Sequence, residues 1–223
     1  MNIHDLQDRV AQIFPLSEGL DWDNIGVLVD TGSLSSNVLL TVDISDLVID
    51  ECIRKNIKHI ISYHPLIFSG IKKIQRDDLL LRCIQNDINV FSPHTSWDRE
   101  MNEYLFELLK GLSLQEVIET LKREGNMEYL RIAKNTDKFS KLVVVVGSAF
   151  KYHDHVDSLI ITGEMAHHCI LHSLRKNNIV ILLEHSNSER MTLKHMKSKL
   201  EGVLKECTLF ISEEDKGPLQ IIL

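Results

Sequence analysis

The sequence predicts an α/β protein: a larger α/β domain with a mostly parallel sheet, into which a smaller α/β domain is inserted. Three observations carry this. Short apolar runs alternate with amphipathic stretches, the pattern of repeated β-α units. Candidate loops bearing histidine follow several of those runs. A central section, 113–165, breaks the rhythm with a long polar stretch and its own strands. The expected division is therefore 1–112 with 166–223 as the larger, metal-binding domain and 113–165 as the smaller inserted one.

The elements follow in order. Residues 3–14 read as a helix that stops near Pro15, and 38–42 (Val-Leu-Leu-Thr-Val) as a buried strand. Residues 46–56 form a helix with Leu47, Val48, Cys52 and Ile53 on an apolar stripe. A strand at 59–62 exits through Tyr63-His64-Pro65. A helix at 77–86 precedes a strand at 88–91, which exits through Ser92-Pro93-His94. The helix at 100–110 ends at Gly111, a natural C-terminal cap. Ser113-Leu114-Gln115-Glu116 has capping-box spacing and opens a short helix. After polar residues to Ser140 come strands at 142–146 and 159–161, then a helix over 164–177. A strand at 179–183 leads through His185-Ser186-Asn187 into a helix over 188–201. Late strands are expected at 207–211 and 219–223.

Composition excludes several classes. The chain has 223 residues, 4 Pro, 10 Gly and 43% apolar residues, which does not describe a disordered or collagenous protein. Its net charge of −7 argues against a partner held by its nucleic-acid backbone. No apolar run reaches the roughly 20 residues of a membrane span, and no secretory leader is visible at the N-terminus. The four cysteines are far apart, without a CxxC pair, and read as reduced thiols. A cytoplasmic location is expected, with nucleus and mitochondrion equally reducing.

The 11 histidines matter by position. Three strand ends carry metal-type ligands: His64 after the 59–62 strand, His94 and Asp98 after 88–91, and His185 and Glu189 after 179–183. In a parallel sheet the C-terminal strand ends share one edge, where α/β proteins bind ligands. His64, Asp98, His185 and Glu189 are thereby expected to meet in one cleft. Imidazole and carboxylate suit Zn, Fe, Mn or related divalent ions, and a glutamate can bridge two ions. The bland alternative is that each histidine satisfies a loop carbonyl or caps a helix. His94 is assigned to orienting or substrate contact, and it is also a candidate for proton transfer. Glu164 and His168 are candidates for proton transfer; the competing reading packs His168 on the sheet and leaves Glu164 at a helix N-terminus. Asp23 and Asn24 could hydrogen-bond the cavity loops; the alternative, preferred for Asp23, is an Asx-type turn ending at Gly26. His153 and His155 belong to a surface loop.

Five segments in this order resemble a known family: Asp21-Trp22-Asp23-Asn24-Ile25-Gly26, Ser62-Tyr63-His64-Pro65-Leu66-Ile67-Phe68, Ser92-Pro93-His94-Thr95-Ser96-Trp97-Asp98, Thr162-Gly163-Glu164-Met165-Ala166-His167-His168 and His185-Ser186-Asn187-Ser188-Glu189-Arg190. The resemblance is to the "Ngg-one-interacting factor three" family, also called GTP cyclohydrolase I type 2-like, and covers nearly the whole chain. It implies an inserted α/β fold, toroidal hexamers built as trimers of dimers, and a dinuclear metal centre facing an internal cavity. Carried over, the ligands are His64, Asp98, His185 and Glu189. The first histidine of the family's His-His pair is Tyr63 here, as in the eukaryotic branch. A phenol with pKa near 10 is a poor zinc ligand, although ferric iron can deprotonate it. One of the two metal positions is then weaker, differently occupied or empty. The resemblance implies a divalent-metal-dependent hydrolase acting on a small phosphorylated or nucleotide-like substrate. The alternatives are an interaction protein that binds transcription regulators around a structural metal, and a metal carrier.

Overall fold

The computed structural model describes residues 1–149 and 152–219. The chain divides into two compact units, Met1–Trp97 with Leu193–Leu223, and Asp98–Thr192. The second unit is wider on both sides than the 113–165 insertion expected, because its sheet recruits a strand and helices from the flanks.

The first unit holds a five-stranded sheet. Its strands are β1 (Gly26–Val29), β2 (Asn37–Thr41), β3 (His59–Ser62), β4 (Asn89–Ser92) and, from the chain end, β9 (Thr208–Ile211). The order is β1-β4-β3-β2-β9, parallel except for β1, which runs antiparallel to β4. Every residue of β3 and β4 is buried, as expected for parallel strands covered on both faces. Helices α1 (Ile3–Ala11), α2 (Asp46–Arg54), α3 (Leu79–Gln85) and α8 (Leu193–Glu201) complete the unit. Asn2 caps α1 and Ser45 caps α2 through side-chain oxygens. Leu39, Ile60 and Val90 stand in register across the sheet and pack with Val48, Ile49, Cys52 and Cys83. Burial pushes both of these thiols up to about 12, and all four cysteines are free. Inert buried thiols agree with the reduced state expected.

The second unit holds a four-stranded sheet of β5 (Arg131–Ala133), β6 (Lys141–Ser148), β7 (Ser158–Glu164) and β8 (Ile179–Leu182), in the order β5-β8-β7-β6. The last three are parallel, and β5 is an antiparallel edge. Around them lie α4 (Asp98–Leu109), α5 (Leu114–Glu124), α6 (His167–Arg175) and α7 (His185–Arg190). The capping box of α5 forms as expected, with Ser113 and Glu116 each bonding the other's backbone N–H. Ile160, Val180, Met165 and Leu182 make the core.

Some expectations are corrected. The strand ends bearing the candidate ligands leave two sheets, not one: β3 and β4 belong to the first, whereas β8 pairs with β7 in the second. The helix expected over 188–201 is two helices, α7 and α8. The backbone turns at Thr192, whose N–H and hydroxyl both donate to the Glu189 carbonyl. The helix expected over 164–177 starts only at His167, since β7 continues to Glu164. Strands β1 and β5 were not expected. Of the late strands, β9 forms; Leu219 lies outside any regular element, and 220–223 fall outside the described residues. No helix among the described residues is long and apolar enough to cross a membrane.

Candidate metal and substrate site

In the first unit the ladder continues past its strands. Tyr63 N–H donates to the Thr41 carbonyl and His64 N–H to that of Val42. The loop after β3 is thereby fixed beside the loop after β2. His64 Nδ1 meets Asp43 Oδ1 at 2.8 Å. Tyr63 is buried, and its ring packs on His64 and His94, with centroids 5.1 and 5.4 Å away.

His94 opens a 3-10 turn (His94–Trp97) and sits at φ 35°, a strained value for a side-chain-bearing residue of the kind that clusters at functional sites. Its Nδ1 is 2.7 Å from Asp23 Oδ1, while Asp23 Oδ2 accepts from the Thr95 N–H and hydroxyl. Burial raises the Asp23 carboxyl, but the bonds from Thr95 and His94 outweigh it and hold the group below the usual carboxylate range. Asp23 Oδ1 also accepts from the N–H of the next residue, Asn24, one residue short of the Asx-turn contact expected. Asp23 is nonetheless more than a turn residue, which corrects the expectation: it anchors His94.

In the second unit His185 follows β8 at the start of α7, preceded by Glu184 at φ 68°. Its Nδ1 meets Glu164 Oε1 at 2.9 Å, and its Nε2 lies 3.3 Å from Glu189 Oε1. Glu189 is buried, one helical turn on. The hydrogen bond to Glu189, its charge, and Glu164 together outweigh burial and raise the His185 pKa to about 9.

Two glycines shape this cradle. Gly147 takes φ +65°, and a Cβ there would sit 2.7 Å from Glu189 Oε1 and 3.3 Å from His185 Nε2. A Cβ on Gly163 would meet the Gly147 carbonyl at 2.5 Å, Ser188 Oγ at 2.7 Å and His185 Cα at 2.8 Å. Gly147 N–H donates to Ser188 Oγ, whose hydroxyl donates to the His185 carbonyl. Hydrogen at both positions is what allows β6, β7 and α7 to converge here. Asp98 begins α4. Its neighbour one turn on, Asn102, accepts the Val146 N–H at 2.8 Å, so the Asp98 face of α4 lies toward the strand that carries Gly147.

The expected residues thus fall into groups. Glu164, His185 and Glu189 meet in the second unit; His64 and His94 neighbour each other in the first, with ring centroids 5.6 Å apart. His168 is exposed in the first turn of α6, with its ring against His167, so it is not packed on the sheet. His153 reaches His172 and Asp154 at a separate place. Residues missed in the sequence are Asp43, Asp23 as a histidine partner, and the two glycines. For the glycines a signal existed: Gly147 and Gly163 each end an apolar β-run.

One pattern unites these groups. His64, His94 and His185 each have Nδ1 on a carboxylate, from Asp43, Asp23 and Glu164. Metal-binding histidines are commonly oriented this way, with the other nitrogen directed to the ion. An imidazole nitrogen that an ion can take over in exchange for its proton, 3.3 Å from a buried carboxylate and beside a space that a single methyl group would fill, suits a borderline divalent ion.

Fold and site together define an α/β protein with two mostly parallel sheets and carboxylate-oriented histidines at strand ends. The chain belongs to the Duf34/NIF3 (NGG1p interacting factor 3) family, whose model matches residues 1–111 and 101–218. It is 32% identical to the NIF3-like protein 1 of Drosophila melanogaster over 245 aligned residues, covering 92% of this chain and 84% of that protein. It is 28% identical to a GTP cyclohydrolase 1 type 2 homolog of Clostridium acetobutylicum, with 92% and 91% covered. The crystal structure of a Bacillus cereus protein related to NIF3 shares the fold, with a TM-score of 0.88 at 15% identity over 100% of this chain and 99% of that one.

Proposed function

We propose that the chain is a divalent-metal-dependent hydrolase acting on a small phosphorylated or nucleotide-like substrate, with His64, Asp98, His185 and Glu189 holding one or two ions. The observation that carries this is the His185–Glu189 pair, 3.3 Å apart, with His185 oriented by Glu164. Asp98, at the head of α4, and His64, oriented by Asp43, are the further ligands. When bound, a divalent ion supplies Lewis acidity toward a substrate oxygen. The chain's own groups do the rest. Glu164 holds the His185 ring so that Nε2 serves the ion, and Asp43 does the same for His64. In this reading His94 passes a proton to or from substrate, which its Nδ1 contact with Asp23 supports by orienting the ring. His168, exposed beside His167, is a second candidate for proton transfer. Glu164 therefore acts through His185, not as the acid or base itself.

Tyr63 favours a second reading. A buried phenol stands where the family resemblance expects a ligand histidine, so one ion position is weakened. A metal-stabilised interaction protein that binds transcription regulators needs no turnover, and the family description, NGG1p interacting factor 3, supports protein interaction. Assembly into a homohexamer belongs to both readings and is tested by light scattering. The experiment that separates them is turnover of a phosphorylated and nucleotide substrate panel, with and without added Zn, Mn or Co. Metal-dependent turnover lost in Glu189→Ala supports the hydrolase. Bound metal without turnover of any substrate supports the interaction protein.

A further inference from the structure

Trp22 and Phe68 are each 61% exposed, yet they lie beside each other with ring centroids 6.0 Å apart. Both rings approach His94, at 6.2 and 6.4 Å and close to edge-on. Their loops are pinned. Asn24 Nδ2 donates to the Ile67 carbonyl at 2.5 Å, and Leu20 N–H donates to Thr95 Oγ1 at 3.0 Å. The buried Asp23, between these anchors, holds His94 itself. Two large apolar rings are thus kept in water by a braced loop, next to a histidine with a constrained ring. Burying them elsewhere would be the default for such side chains.

We infer that Trp22 and Phe68 form a stacking platform for the planar nitrogen heterocycle of a nucleotide, beside His94. The inference deepens the small-molecule reading above and rests on it. Aromatic faces bind any base by its π-surface. A 6.0 Å separation is short of the roughly 7 Å needed to sandwich a ring at about 3.5 Å from each face. The two rings are also tilted by 52°, so the heterocycle stacks on one exposed face of the pair and is not sandwiched between them. The platform is one or two rings wide, the size of a base.

The chain's two tryptophans make the test specific, because Trp97 is 1% exposed and shielded from quenchers while Trp22 is not. The full-length protein, freed of metal by chelator, is titrated with adenosine, guanosine, cytidine and uridine 5′-monophosphates and with ribose 5-phosphate, following tryptophan emission. Saturable quenching by at least one base-bearing probe, and none by ribose 5-phosphate, is expected. Trp22→Phe abolishes the signal, and Phe68→Ala weakens binding about tenfold; both positions are exposed, so folding is preserved. The inference is overturned if no monophosphate quenches at millimolar concentration, if ribose 5-phosphate quenches equally, or if Phe68→Ala binds like wild type. It is also overturned if Trp22 emission shifts with protein concentration, which would mean that a second copy covers the ring. Because the assay is metal-free, stacking without metal binding removes only the metal reading, and metal-dependent turnover without stacking removes only the platform.

Discussion

Replacing Gly163 with alanine tests whether the His185 cradle is as tight as described. The added Cβ would sit 2.5 Å from the Gly147 carbonyl, 2.7 Å from Ser188 Oγ and 2.8 Å from His185 Cα. Ordinary contact begins near 3.4 Å, so the required retreats are 3.4 − 2.5 = 0.9, 0.7 and 0.6 Å. Two of these three atoms are backbone, on β6 and on α7, and cannot swing aside as a side chain can. Inserting a methyl into a well-packed site costs about 1–3 kcal/mol, and the upper half of that range applies here. For a chain of this size that lowers Tm by roughly 4–12 °C. The same displacement disturbs the contacts of His185 with Glu189 and Glu164 that hold its pKa at about 9, so that value falls toward the ordinary histidine one. Calorimetry gives the first quantity and NMR titration of the ring the second. An unchanged Tm together with an unchanged His185 titration would refute the packing argument. A lower Tm with His185 still titrating near 9 would mean that strain is relieved elsewhere and the cradle does not depend on Gly163.

Other outcomes follow from the same geometry. Glu164→Gln should weaken Zn or Mn binding about 10–100-fold by loosening the orientation of His185, read by calorimetric titration; equal affinity would remove Glu164 from its orienting role. The metal-free protein should lose the contribution of the His185–Glu189 pair as pH rises. The folded pKa is raised to about 9, so that stability is fully present below the unfolded value near 6.5 and lost through about 9; urea melts against pH, with Glu189→Gln as control, measure it. His59 runs the other way. Burial lowers its pKa despite hydrogen bonds to the Met1 and Lys58 carbonyls. Its contribution is therefore present above the unfolded value near 6.5 and lost as pH falls toward the folded value. His59→Gln should flatten the acid limb of the stability profile. Tyr63→His should raise the number of ions retained per chain, and unchanged stoichiometry would assign Tyr63 to packing between His64 and His94.

Much of the fold was legible because burial on both faces leaves a plain mark. Val38-Leu39-Leu40, Ile60-Ile61 and Ile179-Val180-Ile181-Leu182 are strands in sequence and structure. Strand β5 left little mark, since three residues at an antiparallel edge with an exposed arginine look like loop. Strand β1 begins at Gly26 with φ +107° and is broken by a bulge, so its apolar residues lacked a regular period. The division of α7 from α8 depends on Thr192 bonding back to Glu189, a local choice that helical periodicity cannot report. Which strand pairs with which is a long-range matter: nothing around Ile179 says that β8 joins β7 instead of β2. The ligand-type residues at strand ends were readable as chemistry. Their carboxylate partners were not, because Asp43 lies 21 residues from His64 and Asp23 lies 71 residues from His94.

The most direct test of the account is elemental analysis of protein purified without chelator, set beside a His185→Ala, Glu189→Ala double variant that remains folded by circular dichroism. The account predicts at least one tightly held divalent ion per chain in the parent and its loss in the variant. The same metal content in both, or none in the parent even after dialysis against zinc and manganese, would contradict it.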